Sequence, residues 1–217
     1  CRFGAVARKG RGAGEAEFSI DPVSCEGCGV CVRFCPAGAI DFPERLCGEW
    51  YVSETRFGPM VHARLGVAAE NSGKLVTRVR QEARRIAEER GRPLVLVDGP
   101  PGIGCPVIAS VTGATAVLAV TEPTPSGVHD VGRVLGLARH FGLKSFVCVN
   151  KWDLNPALAE RIERRAGEWG AAPCGRIPYD RAFTEAQILG KAVVEGGDGP
   201  AAESLRRIWE NLHRGMP

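Results

Sequence analysis

The sequence predicts an α/β fold, a mostly parallel sheet covered by helices, joined to a small cysteine-rich module. Three observations predict it. Short, largely apolar runs at 94–98, 116–120, 145–150 and 173–177 have the length of buried parallel strands. Segments with helical periodicity lie between them, near 105–112, 126–141 and 156–169, and that alternation implies right-handed crossovers. Finally, four of the nine cysteines crowd into Cys25–Cys35, a spacing that suits metal ligation better than a disulfide framework.

The cysteine run comes first in the chain. Residues 25–36, CEGCGVCVRFCP, match C-x2-C-x2-C-x3-C-P without a gap, the run that holds [4Fe–4S] clusters in bacterial ferredoxins. Two-residue spacings let thiolates on one tight loop reach three irons of a cube, and Gly27 and Gly29 let backbone amides approach the sulfides. A structural zinc site is the alternative, though it usually takes its ligands as two pairs. In two-cluster ferredoxins the fourth cysteine of each run ligates the other cluster. Cys1-Arg-Phe-Gly-Ala-Val parallels Cys35-Pro-Ala-Gly-Ala-Ile, so Cys1 reads as the fourth cysteine of an earlier run. Cys1 then completes one cluster with Cys25, Cys28 and Cys31, and Cys35 serves a second. The chain starts at Cys1 without an initiator Met and reads as a fragment with at most one complete cluster. Cys47 lies outside the spacing and is expected to be a small buried hydrophobe.

From about Trp50 the pattern changes. Trp50–Val52 and Met60–Leu65 read as short strands, and Ser72 is placed to cap a helix to Arg90 with Val76, Val79, Ala83 and Ile86 on one face. Leu94–Val97 then runs straight into Asp98 and the turn GPPGIG. A carboxylate at the carboxyl end of a parallel strand sits where open α/β sheets bind ligands, which places Asp98 for Mg²⁺; Asp before Gly is also ordinary turn chemistry. A phosphate cradle of the form G-x4-G-K-[ST] is missing. Its nearest approach, Asn71-Ser72-Gly73-Lys74-Leu75, has Ala68 for the first Gly and no hydroxyl after the Lys, so Lys74 at a phosphate is the lesser reading.

Two further loops follow apolar strands. Asn150-Lys151-Trp152-Asp153 fits N-K-x-D, in which an amide and a carboxylate read a purine edge, and taken alone it suggests guanine. Ile177-Pro178-Tyr179-Asp180 adds a backbone turn and an aromatic ring; turn chemistry is the alternative for both loops. Glu122, Ser126 and His129 follow another strand, where they face a nucleotide or a partner subunit or start a helix. Cys105 opens a helix, as a buried small residue or a switch thiol, and Cys148 and Cys174 fall in core strands. A last helix, 201–213, carries Leu205, Ile208, Trp209 and Leu212.

Composition narrows the classes. Twenty-eight basic against 25 acidic residues, net +3, give no mandate for nucleic acid, and Arg2, Arg8, Lys9 and Arg11 form a solvated local cluster. No run of eighteen apolar residues, signal peptide or amphipathic membrane tail at Trp209–Pro217 is visible, so a cytoplasmic protein without membrane partners is expected.

Together CEGCGVCVRFCPAGAI, ENSGKLVTRVR, LVLVDGPPGIGCPVIAS, VTEPTPSGVHD, VNKWDLN and IPYD resemble MinD/Mrp-type P-loop ATPases with an inserted ferredoxin domain. The resemblance implies residues 1–48 as a ferredoxin-like module and 49–217 as a P-loop domain whose deviant Walker A, signature Lys and switch I carboxylate lie upstream. It implies Asp98 as the catalytic, Mg²⁺-side switch II residue and Gly102 in the loop that senses the γ-phosphate. Asn150, Asp153, Pro178, Tyr179 and Asp180 then surround adenine, so N-K-x-D need not mean GTP. ATP and Mg²⁺ would bind between the subunits of a homodimer, and the full-length protein would carry two [4Fe–4S] clusters. Hydrolysis would be coupled to electron transfer or cluster handling for a redox or iron–sulfur client. The other reading is a non-catalytic electron carrier with the nucleotide domain as docking scaffold.

Overall fold

Residues 1–9, 17–67 and 69–216 are described in a computed structural model. Arg11 of the basic cluster, Ala68 of the cradle comparison and the terminal Pro217 lie outside the described residues. The chain divides into two units, Cys1–Leu96 and Val97–Pro217.

In the first unit, β1 (Val6–Lys9) pairs antiparallel with β2 (Glu17–Ile20), Val6 opposite Ile20. A one-turn helix, α1 (Val30–Phe34), sits inside the cysteine run. The expected strands near 50 and 60 are longer than anticipated: β3 (Gly48–Thr55) and β4 (Gly58–Leu65) form an antiparallel hairpin. Its two-residue turn closes through Thr55, whose hydroxyl donates to the Gly58 carbonyl (2.7 Å) and accepts the Phe57 N–H (3.2 Å). Helix α2 (Gly73–Glu89) starts where predicted, because the Ser72 hydroxyl accepts the Leu75 N–H at 3.2 Å and satisfies one orphan donor of the first turn. Its exposed side is laced by Arg84–Glu88 and Arg85–Glu89 pairs one turn apart.

The second unit contains α3 (Cys105–Val111), β5 (Ala116–Thr121), α4 (Pro125–His140), β6 (Lys144–Asn150), α5 (Pro156–Ala166), β7 (Ala171–Ile177), α6 (Ala182–Ile188) and α7 (Pro200–Gly215). The three strands form a parallel sheet in the order β5-β6-β7. Side chains alternate across a strand, and β6 uses both faces. Val147 and Val149 pack with Val131 and Leu135 of α4 and Ile162 of α5, whereas Phe146 and Cys148 pack with Cys174, Ile177 and Ile208 and Leu212 of α7. Gly175 lets α7 come this close: a Cβ there would lie 2.6 Å from the Ile208 side chain.

Several expectations are corrected. Leu94–Asp98 is not a strand; Leu94, Val95, Leu96 and Val97 are 48, 39, 86 and 37% exposed. An apolar run becomes a strand only by exchanging main-chain hydrogen bonds with a neighbour, and among the described residues no strand pairs with it. Cys47 is exposed, its thiol 3.4 Å from the Arg45 carbonyl, because it precedes a hairpin instead of lying inside a core. Helix α5 stops at Ala166, three residues early, and Gly170 (φ 78°) turns the chain into β7. Helix α6 is unanticipated; it is seven residues long and buries only Ala186. Cys148 and Cys174 are buried as expected.

Leu135 is fully buried between α4 and the sheet. Leu135→Ala is expected to cost about 2–5 kcal/mol, whereas Leu154→Ala, at a 64% exposed position, stays within about 0.5 kcal/mol. Denaturant unfolding of the two variants beside the parent measures both.

Candidate functional site

The cysteine site is built by turns. The Gly4 N–H donates to the Cys1 carbonyl (3.4 Å) and the Gly38 N–H to the Cys35 carbonyl (3.2 Å). Both glycines are left-handed, φ 69° and 58°. The two short stretches that look alike in sequence therefore make the same turn. Gly27 and Gly29, φ 62° and 69°, bend the loop that carries Cys25, Cys28 and Cys31. Asp21 anchors its start by accepting from the Ser24 hydroxyl (2.6 Å) and the Val23 N–H (3.1 Å), which hold its carboxyl below the usual carboxylate range.

These turns bring Cys1, Cys25, Cys28 and Cys31 to the wall of one cavity of about 360 Å³, with Phe3 and Phe42 also lining it. Cys35 is not on that wall. Its sulfur instead takes the amides of Ala39, Ala37 and Gly38, which lower its thiol pKa. Among the described residues no three His, Cys, Asp or Glu side chains are grouped to hold a single metal ion. Four soft thiolate donors spread around an apolar cavity fit a cluster, and the amide nest at Cys35 is the kind of outer-shell donor set that such ligands use. Glu26, also on the cavity wall, faces the Glu70 carboxyl, whose hydrogen bond and charge push the Glu26 pKa above the usual range.

In the second unit, the loops after all three parallel strands meet at one rim. Lys151 adopts φ 52°, the only positive φ outside glycine among the described residues, and its ammonium pairs with Glu122 at 2.7 Å. That pair raises the Lys151 pKa. The Asn150 side-chain oxygen accepts the Lys151 N–H (3.0 Å), and Asp153 Oδ1 accepts the Tyr179 N–H (2.7 Å). Asp180 accepts the Ala182 N–H (2.9 Å) at the start of α6, and the Tyr179 ring is 58% exposed. Asn150, Asp153, Tyr179 and Asp180 are thus gathered with Pro178 on the loops after β6 and β7. A second cavity of about 300 Å³ is lined by Trp152, Gly175, Arg176, Ser204, Arg207 and Ile208. Arg176 is held there by Glu163 (2.7 and 2.5 Å) and lies over the Trp152 ring.

Asp98 and Gly102 (φ 91°) precede α3, and Asp98 is exposed with no side-chain partner among the described residues. Cys105 is exposed at the first position of α3, so it is not a buried small residue of the core. Thr124 caps α4, accepting the Gly127 N–H at 3.0 Å, and Ser126 lies in its first turn; His129 is exposed and 3.1 Å from Asp130. The two links that close the rim, Lys151–Glu122 and Asp153–Tyr179, were not anticipated. Glu122 and N-K-x-D were visible separately, but nothing in a linear sequence pairs positions 29 or 26 residues apart.

A parallel sheet with its polar loops gathered at one rim, in a chain that also presents four thiols around one cavity, defines an iron–sulfur protein of P-loop ATPase architecture. Residues 18–41 match the 4Fe-4S binding domain. The fold is similar to the MinD cell division protein of Aquifex aeolicus (TM-score 0.56, 21% identity, 75% of this chain and 68% of that one). It is also similar to the cell division ATPase MinD of Pyrococcus furiosus (TM-score 0.54, 18% identity, 68% and 60%). In sequence the chain is 32% identical over 212 residues to the uncharacterized protein MJ0578 of Methanocaldococcus jannaschii, covering 98% of this chain and 68% of that protein. It is 26% identical over 152 residues to the iron-sulfur cluster carrier protein of Pyrococcus abyssi, covering 64% of this chain and 52% of the carrier. The chain belongs to the family of MJ0578, MinD/Mrp-type P-loop ATPases with a ferredoxin-type insert.

Gly127 permits the contact between the start of α4 and the end of β5: a Cβ there would lie 2.3 Å from the Glu122 carbonyl. Gly127→Ala is therefore expected to destabilise the chain by about 1–3 kcal/mol, despite the better helix propensity of Ala, as read by thermal or denaturant unfolding.

Proposed function

We propose that the protein is an ATP-dependent iron–sulfur protein, in which ATP binding and hydrolysis are coupled to handling a [4Fe–4S] cluster or its electrons for a client protein. The observation that carries the reading is the sorting of the thiols: Cys1, Cys25, Cys28 and Cys31 line one cavity, and Cys35 faces its own amide nest. In this reading residues 1–48 hold the cluster and residues 49–217 serve the nucleotide. Cys1, Cys25, Cys28 and Cys31 are the ligands of one cluster, and Cys35 is a ligand of a second. When bound, a cluster supplies one-electron chemistry, tuned by the backbone amides that reach its sulfurs.

On the nucleotide side, Asp98 would hold a Mg²⁺, which would supply charge neutralisation at the phosphates, and Gly102 would give the following loop the freedom to respond to the nucleotide. Asn150, Asp153, Pro178, Tyr179 and Asp180 form the base-side rim. Two copies would close over ATP, and closure would change access to the cluster or its potential. The chain spans 68% of MJ0578 and 52% of the Pyrococcus abyssi carrier, whose name supports cluster handling. None of the helices among the described residues is long and apolar enough to cross a membrane.

Iron and acid-labile sulfide analysis of this chain after anaerobic reconstitution is expected to give one [4Fe–4S] cluster. Cys31→Ser is expected to lose most of the iron and Cys47→Ser to keep it; two clusters on the parent chain would overturn the ligand sorting. In the full-length protein, Asp98→Asn is expected to lower ATP turnover at least about 100-fold, the scale of removing a charged transition-state contact. Turnover identical with oxidised and reduced clusters, together with an unchanged potential, would remove the coupling.

A further inference from the structure

The N-K-x-D loop poses a chemical question of its own. Guanine offers two adjacent donors, N1–H and N2–H, which a free carboxylate accepts with both oxygens. One oxygen of the Asp153 carboxylate is already engaged. Its Oδ1 already accepts the Tyr179 N–H at 2.7 Å, a bond that joins the loop after β6 to the loop after β7. The neighbouring groups are committed as well: Asn150 Oδ1 to the Lys151 N–H at 3.0 Å, and the Lys151 ammonium to Glu122 at 2.7 Å. Lys151 holds a left-handed conformation that a non-glycine residue adopts at a cost, and the Glu122 pair secures it. Trp152, between the two pinned residues, is covered by the Arg176 guanidinium.

We infer that Asp153 is a positioning residue, a clamp that fixes the Pro178–Asp180 loop against the loop after β6. The ends of β5, β6 and β7 are laced in series, Glu122 to Lys151 and Asp153 to Tyr179. This deepens the nucleotide-site reading above and rests on it for the identity of the ligand, though the clamp itself is a property of the unliganded chain.

The test separates acceptor from charge. Asp153→Asn keeps a side-chain oxygen for the Tyr179 N–H, whereas Asp153→Ala removes it. In the nucleotide-free full-length protein, Tyr179 amide exchange is expected to quicken at least about tenfold in Asp153→Ala, the loss of one hydrogen bond to a charged acceptor, and to be restored in Asp153→Asn. Adenine-nucleotide affinity is expected to fall about tenfold in Asp153→Ala and to be rescued in Asp153→Asn with the base preference unchanged. A carboxylate that reads the base behaves otherwise: Asp153→Asn then turns preference from guanine to xanthine nucleotides, whose O2 accepts from the new amide, and that result overturns the inference. Unaltered Tyr179 exchange in Asp153→Ala overturns it too. If the parent protein binds no purine nucleotide, the functional proposal fails, and the exchange measurement still decides the clamp.

Discussion

The constraint on which the second unit depends is the burial of β6 on both faces and its pairing along both edges. Its five central residues are all buried, and alternate side chains serve two separate clusters, one beneath α4 and α5 and the other beneath α7. A strand in that position cannot slip by one residue without exchanging the two clusters. Because β5 and β7 run parallel to it, all three carboxyl ends emerge on the same side. The rim of Glu122, Asn150, Lys151, Asp153 and Tyr179 is a consequence of that geometry. Its cross-links, in turn, hold loops that the sheet alone would leave free.

The cysteine module works from a different constraint. It has little core of its own: Ala5 is buried, but Phe18, Phe34 and Leu46 are largely exposed. Order comes from backbone turns, each needing a glycine in the left-handed region, and from side chains such as Asp21 that satisfy loop amides. The repeated turn after Cys1 and Cys35 makes the two thiols equivalent by construction and sends them to different places. A module built this way leaves much of its stability to bound cargo, as is usual for small metal-binding folds.

Much of the helical architecture was legible because local chemistry decides it. Ser72 caps α2, prolines open α4, α5 and α7, and the apolar stripe of each helix is visible in the chain. The cysteine spacing was equally legible, since ligand geometry leaves few alternatives. The Leu94–Val97 run departs from its expected strand for the opposite reason. Its apolar character is real, but strand formation is a property of a pair, and this run has no pairing partner among the described residues. Helix α6, short and nearly without buried positions, carried too weak a periodic signal to be seen.

By itself the sequence determined the identity of the chemistry: four thiols in register for a cluster, a carboxylate ahead of a glycine-rich turn, and N-K-x-D after an apolar strand. Only the tertiary structure decided how those groups are shared. It engaged the Asp153 carboxylate with a backbone amide 26 residues away, whereas the grouping of Cys1 with Cys25, Cys28 and Cys31 apart from Cys35 was already an expectation from the chain. The reason is physical. Residue type sets what a group can bind, but a thiol or carboxylate acts on whatever lies within about 3 Å of it, and that distance is set by strand pairing and turns which no local pattern encodes.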